Sequence, residues 1–292
     1  MSFQLDNAQR AKVLTQALPY IQKYNGKIVV IKYGGNAMID ENLKQQVMED
    51  IILLQLIGVK TVLVHGGGPE ITSMMQKLGK ETQFVDGLRV TDKESASIAQ
   101  MVLSGKVNKE LVNLLQAKGG RAIGISGVDG GLIQAVTKDE RIGFVGKITD
   151  VNIEPVTTLL EHGYVPVVST IGCDKQGNIY NINADTVASA IAAELKAERL
   201  FELTDIEGIL LDKNDHTSTI PRMTVSEAKK LLSSGVISGG MIPKIKGCIE
   251  AVENGVKTVT VIDGRVPHSI LMEMLTDEGA GSMICGDNSE VE

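Results

Sequence analysis

Residues 27–36, KIVVIKYGGN, and residues 61–69, TVLVHGGGP, decide the fold. Each is a β-branched run that ends in glycines. An unbroken run of this kind suits a strand buried on both faces. Glycine after it lets the chain turn sharply and brings backbone N–H groups close to a ligand. Pro69 suits the first turn of a following helix.

Outward from these two units, strand and helix signals alternate. A helix is predicted over 41–57, and helical patterns recur over 93–118, 151–162, 184–196, 225–233 and 244–254. Strands are predicted at 122–126, 165–169, 200–203, 258–262 and 282–285. Short pieces around 84–90, 131–136 and 144–148 read as edge hairpins. This alternation predicts an α/β fold with a mostly parallel sheet covered on both faces. No internal repeat or low-complexity linker interrupts it, and the best boundary falls near Lys196. Residues 4–24 read as an amphipathic helix, with Leu14, Leu18 and Ile21 on one side, a kink at Pro19 and an end at Asn25-Gly26. Such a helix either docks on its own domain or serves as an oligomerisation arm.

Composition narrows the function. The 292 residues are 43% hydrophobic and 22% charged, enough for a sizeable core. The formal charge of −7 argues against a nucleic-acid binder, so an anionic substrate needs a local cluster of cations and N–H groups. Cys173, Cys248 and Cys285 are scattered, with no zinc spacing and no disulfide framework. No signal-peptide core or membrane-length apolar run is visible, so the cytoplasm is the expected location.

Four local signals carry chemistry. The glycine clusters after residues 32–33 and after His65 stand where open α/β sheets bind ligands, at the carboxyl ends of strands. Asn181-Ile182-Asn183-Ala184-Asp185 precedes a helix and reads either as ordinary capping or as substrate amides plus a carboxylate that orients a lysine. Lys244 opens a helix after Gly239-Gly240, where it opposes the macrodipole unless an anion is present. Arg89, in Gly87-Leu88-Arg89-Val90, offers bidentate geometry to a carboxylate, although most arginines are surface partners. His65 reads as structural. No P-loop, dinucleotide or protein-kinase fingerprint occurs.

These signals stand in the order shown by the amino acid kinase family. The set IKYGGNAM, VHGGGPEI, DGLRVT, NINADTVA, LTDIEGIL and SGGMIPK resembles its acetylglutamate kinases, from residue 27 to the C-terminus. The resemblance implies a three-layer αβα sandwich with a mostly parallel open sheet and two lobes. Residues 25–196 would hold acetylglutamate and the dimer contact, residues 197–292 would hold ATP, and residues 1–24 would form the oligomerisation arm. It implies ATP-dependent phosphorylation of the γ-carboxylate of N-acetyl-L-glutamate, the second step of arginine biosynthesis. Lys32 and Lys244 match the lysines that stabilise the transferring phosphoryl group, and Asp185 the aspartate that organises them. Gly34 and Gly35 match the ATP-phosphate turn, Gly66 and Gly67 donors to the reacting carboxylate, and Arg89, Asn181 and Asn183 the acetylglutamate contacts. Asp205, Ile206, Glu207, Gly208, Ile209 and Leu210, with Val236, Ile237 and Ser238, match segments around ATP. Mg²⁺ would arrive on ATP, with no protein ligand.

The N-terminal helix resembles the extension of arginine-inhibited hexamers, trimers of dimers. Tyr20, Lys196, His268, Glu273 and Gly279 are then candidate arginine contacts, and a PII-type signalling protein a candidate partner. Phe201-Glu202 departs from the pattern, which usually shows two aliphatic residues there, so Glu202 is expected to be exposed or paired. Neither lysine is expected in the core.

The chemistry needs no general base. A γ-carboxylate has a pKa of about 4.3 and is already ionised at neutral pH, so catalysis reduces to in-line positioning and charge neutralisation. Rival readings are another amino acid kinase (glutamate 5-kinase, aspartokinase, carbamate kinase or uridylate kinase) or a non-catalytic arginine sensor. The pairing of Arg89 with two asparagines disfavours the first, and retention of Lys32, Lys244 and Asp185 the second.

Overall fold

The chain enters through two short helices, α1 (Asn7–Gln16) and α2 (Leu18–Tyr24), and runs into strand β1 (Ile28–Tyr33). Then α3 (Glu41–Leu56), capped by Asp40, leads to β2 (Lys60–His65) and α4 (Gly68–Lys77). A small hairpin, β3 (Phe84–Val85) and β4 (Leu88–Arg89), precedes α5 (Lys93–Gln100), a π-helical stretch Met101–Val107, and α6 (Asn108–Ala117). Next come β5 (Ala122–Ser126), β6 (Ile133–Thr137), β7 (Gly146–Val151), α7 (Glu154–Glu161) and β8 (Val165–Ser169). They are followed by β9 (Ile171–Cys173), β10 (Ile179–Asn181) and α8 (Ala184–Glu194). The last part holds β11 (Arg199–Thr204), β12 (Arg222–Thr224), α9 (Val225–Ser233), α10 (Met241–Glu253), β13 (Thr258–Asp263), α11 (Ser269–Leu275) and β14 (Gly281–Cys285). This computed structural model describes residues 6–38, 40–211, 215, 218–237 and 241–288.

Eight strands form the main sheet in the order β12-β14-β13-β11-β1-β2-β8-β5. From β13 to β5 every pairing is parallel, and β14 runs antiparallel to β13. The expected mostly parallel sheet is therefore present. Side chains alternate across a strand, so β1 divides its residues between two cores. Val29, Ile31 and Tyr33 join one cluster with residues of α3 and α6. Val30 joins the other, with Leu200 of β11 and residues of α8 and α10. By the same alternation Lys32, Glu202 and Thr204 share the face covered by α8 and α10. That face carries the candidate site.

The hairpin expectations need correction. The pieces at 131–136 and 144–148 do not edge the main sheet. As β6 and β7 they join β9 and β10 in a separate four-stranded sheet, ordered β10-β9-β6-β7. The strands β9, β10 and β12 and the helix α11 carry no prediction. Each is three to seven residues long, too short for a periodic signal.

The N-terminal segment also differs from one kinked helix. It breaks at Ala17, and Pro19 falls in the first turn of α2, where its missing N–H leaves nothing unpaired. The two readings of this segment then divide between its halves. Helix α1 buries no residue, and Val13 and Leu14 are 55% and 76% exposed. Helix α2 docks: Tyr24 is buried, and the Arg199 guanidinium lies 5.5 Å from its ring centroid. No helix among the described residues is long and apolar enough to cross a membrane. Tyr24→Ala should lower stability by about 3 kcal/mol in urea unfolding, the cost of an aromatic cavity. A change below about 0.5 kcal/mol would show that α2 is not part of the folded body.

Candidate active site

Lys32 stands at the end of β1 in register with Glu202 of β11, its parallel neighbour. Its Nζ lies 2.8 Å from Asp185 Oδ1 and donates a longer bond to the Leu203 carbonyl, 3.4 Å away. Asp185 is in the first turn of α8, whose N-cap is Asn183: the Asn183 side-chain oxygen accepts from the Thr186 N–H at 3.0 Å. The capping reading of this motif is thus correct for Asn183, and capping is also what aims Asp185 at β1. An acid in the first turn of a helix is stabilised by the dipole. Lys244, in the first turn of α10, reaches across to Thr204 Oγ1 at 2.9 Å. Both lysines therefore converge on the carboxyl ends of β1 and β11, although they are 212 positions apart in sequence (244 − 32).

Charge fixes the protonation states. Burial disfavours a charged Lys32, but Asp185, Glu202 and Asp205 outweigh it and hold its pKa above the ordinary lysine value. Burial opposes the ionised Asp185 too, yet Lys32 and Lys244 keep it below the usual carboxylate range. Lys32 is only 8% exposed, so the expectation that it lies outside the core is wrong. Strand β1 is central in the sheet, so the lysine is buried and its ammonium is met by Asp185. Glu202 is buried, and burial followed by the charge of Asp185 pushes its pKa up to about 8. It was not expected among the functional residues. The one sequence signal was its departure from an aliphatic pattern.

The glycine turns sit against this cluster. Gly35 has φ +69°, a left-handed conformation that a side chain would strain, and a methyl there would lie 3.2 Å from Asp205 Oδ1. A methyl on Gly34 would meet Lys32 Nζ at 3.4 Å. On Gly67 it would come within 2.6 Å of Leu103 Cδ2, so the buried leucine would have to shift. Gly66 donates its N–H to the Tyr33 carbonyl at 3.0 Å, prolonging the sheet ladder, so this N–H already has a partner. His65 is structural as expected. Its Nδ1 bonds the Gly66 carbonyl at 2.8 Å, Asn108 meets Nε2 at 3.1 Å, and burial lowers its pKa to about 4.

A cleft of about 940 Å³ runs from the turn at Asp86–Leu88 past Asn183 and Asp185 to Glu202 and Lys244. Arg89 stands behind that turn with its guanidinium bonded to the Gly68 carbonyl at 3.0 Å and to Thr72 Oγ1 at 2.7 Å. Asn181 lies on β10, half-buried. Of the expected ATP segments, Gly208 and Ile209 pack on Ser282, whose Oγ accepts from the Ile209 N–H at 2.8 Å. Ile209 and Ile237 are in the core, Ile206 packs against it, Glu207 and Val236 are exposed and Leu210 half-buried. Ser238, with the Gly239-Gly240 signal, lies outside the described residues.

The five candidate arginine contacts do not border this cleft and fall on or beside α2, α8 and α11. Tyr20 donates to the Asp277 carboxylate. His268 pairs with buried Asp50 at 2.6 Å. Glu273 is held by Arg199 at 3.2 Å and accepts from the Ala280 N–H at 2.7 Å, with Gly279 alongside. Lys196 is exposed after α8, at φ +49°.

The amino acid kinase family model matches residues 27–263. The chain belongs to the amino acid kinase family. Within that family its relatives are acetylglutamate kinases. It is 54% identical over 281 residues to the acetylglutamate kinase of Thermoanaerobacter pseudethanolicus, a match covering 96% of this chain and 94% of that one. It is 52% identical over 280 residues to that of a Nostoc species, with the same coverage. Among solved structures, N-acetylglutamate synthase from Neisseria gonorrhoeae superposes with a TM-score of 0.83 at 23% identity. That match covers 97% of this chain and 64% of the synthase, and it is a likeness of fold.

Proposed function

We propose that the chain transfers the γ-phosphoryl group of ATP to the γ-carboxylate of N-acetyl-L-glutamate. The products are N-acetyl-L-glutamyl 5-phosphate and ADP, in the second step of arginine biosynthesis. One observation carries the reading: Lys32, held by Asp185, and Lys244 converge on the carboxyl ends of β1 and β11, where Asp185 and Lys244 border the cleft. The barrier is the approach of one anion to another, and two positioned cations lower it. The carboxylate oxygen attacks phosphorus in line, the bond to the β,γ-bridging oxygen breaks, and ADP leaves. Mg²⁺ carried by ATP would screen charge on the β- and γ-phosphates. Gly35 and Gly67 suit close backbone approach to phosphate and carboxylate.

The division into two lobes belongs to the same reading. Residues 25–196 would hold acetylglutamate at Arg89, Asn181 and Asn183. Residues 197–292 would hold ATP along 205–210 and 236–238. The reaction would then lie over the seam between β1 and β11. A hydrolase or a bare arginine sensor does not need this pairing of lysines, and identities above 50% to acetylglutamate kinases favour acetylglutamate over glutamate or aspartate.

Arginine inhibition, assembly as a hexamer built as a trimer of dimers, a PII-type partner and a cytoplasmic location belong to the same reading. The exposed Val13, Leu14 and Leu18 support the oligomerisation arm, since an apolar stripe gains by burial. Tyr20, His268 and Glu273 already hold internal partners, so a bound arginine would exchange these contacts for its own.

A coupled assay with ATP and acetylglutamate, glutamate or aspartate tests the reaction. Lys244→Ala should lower kcat by about two to three powers of ten, and Lys32→Ala by a similar amount in a protein checked for folding. Unchanged kcat in both would remove the phosphoryl-transfer reading. Arg89→Lys should raise KM for acetylglutamate about tenfold, as a bidentate contact becomes a single point, with KM for ATP within about twofold. A selective loss of ATP binding would place Arg89 on the nucleotide.

A further inference from the structure

Glu202 takes no part in the mechanism above, yet it lies at its centre. It pairs in register with Lys32 on one side and with Val261 of β13 on the other. The residue is 3% exposed, and its Oε2 is fully buried and meets no donor. Its register neighbour Lys32 bonds Asp185 at 2.8 Å, and Glu202 and Asp185 both border the cleft, so two acids crowd one lysine. Two carboxylates so placed repel, and they share a hydrogen bond only if one of them keeps a proton. Asp185 is the one bonded to Lys32, so Glu202 is the one that keeps it.

We propose that Glu202 is a positioning residue for phosphoryl transfer: as a neutral acid it donates its proton to Asp185 and fixes the carboxylate that aligns Lys32, and on losing that proton it slows the transfer. The inference rests on the kinase reading above. Four other titratable side chains surround the group: Lys32 from β1, Asp185 from α8, and Lys244 and Cys248 from α10. From β13 the facing residue is the apolar Val261.

A charge count shows why the proton matters. With Glu202 neutral, Lys32 and Lys244 balance Asp185 and Asp205, and incoming phosphate meets no net repulsion. An ionised Glu202 adds an uncompensated negative charge in a buried place, where screening is weak. It also breaks the bond that orients Asp185. An aliphatic residue at this position would leave Asp185 held by the lysines alone, so this chain carries a pH-dependent support that such a side chain cannot supply.

The sign is fixed by the raised pKa. Glu202 is protonated at neutral pH and ionises as pH rises through about 8, so the loss falls on the alkaline side. Lys32 stays charged there, because its pKa is raised. Wild-type kcat should fall with a midpoint near 8 and reach about a tenth of its plateau one pH unit higher. In Glu202→Gln, whose amide still donates to Asp185 but cannot ionise, that limb should disappear. Glu202→Leu should also lack the limb, but its plateau kcat should be about tenfold below that of Glu202→Gln. KM for ATP should differ little between the two. An alkaline limb of unchanged midpoint in Glu202→Gln would overturn the proposal.

Infrared spectroscopy gives a second reading that needs no turnover. The wild type at pH 7 should show the C=O band of a protonated carboxyl that vanishes at alkaline pH and is missing in Glu202→Leu. A band identical in the two proteins would overturn the proposal as well. Absence of acetylglutamate phosphorylation by the wild type would instead count against the kinase reading, and the infrared result would still decide whether Glu202 holds the proton.

Discussion

The contact between Lys32 and Asp185 is the constraint on which the rest of the structure depends. A lysine buried on the central strand of a sheet is costly unless its charge is met. The partner comes from α8, more than 150 residues later, and only if that helix begins at the right place over β1. Asn183 sets the start by capping. The alternation of β1 sets the face, with Val30 and Lys32 directed to α8 and Val29, Ile31 and Tyr33 to the opposite core. A slip of one residue in β1 would turn Lys32 into the other core, away from Asp185. The hydrophobic pattern that builds the sheet thereby also positions the charge.

The seam between β1 and β11 then does two jobs. It joins the first part of the chain to the last through continuous parallel pairing, and it brings Thr204 and Lys244 to the same end as Lys32. The site gathers two lysines and balances their acidic neighbours within a chain of formal charge −7. Such a site attracts phosphate only over short range, because solvent screens the surface beyond about 8–10 Å. At the other end of β11, Arg199 ties Glu273 of α11 beneath Tyr24, which anchors α2. One strand therefore touches both the candidate catalytic cluster and the candidate effector region. Any coupling between them would pass through β11 or the helices packed on it.

Much of this was legible in the sequence because long periodic elements and turn residues have local causes. The runs at 27–33 and 61–65, the glycines after them and the helix at 184–194 follow from β-branching, backbone freedom and capping. The role of Lys244 was visible as a conflict with the helix dipole. Elements of three to seven residues, such as β12 and α11, were not legible, since their existence comes from tertiary pairing. The break at Ala17 was placed at Pro19, although proline tolerates a first turn better than an interior. Glu202 stood out only as the wrong chemical type for a buried strand. Its proton is a property of Asp185, Lys32 and Lys244 together, and no local window contains all four.

The most direct test of the central claim compares ground state with transition state. Calorimetry would measure binding of ADP with Mg²⁺, and of ADP with Mg²⁺, aluminium fluoride and acetylglutamate, to the wild type and to Lys244→Ala. If the lysines act on the transferring phosphoryl group, the variant should bind the aluminium fluoride complex about a hundredfold more weakly and ADP within about threefold of the wild type. An equal loss for both ligands would contradict the account, because the lysine would then serve nucleotide binding and not transfer.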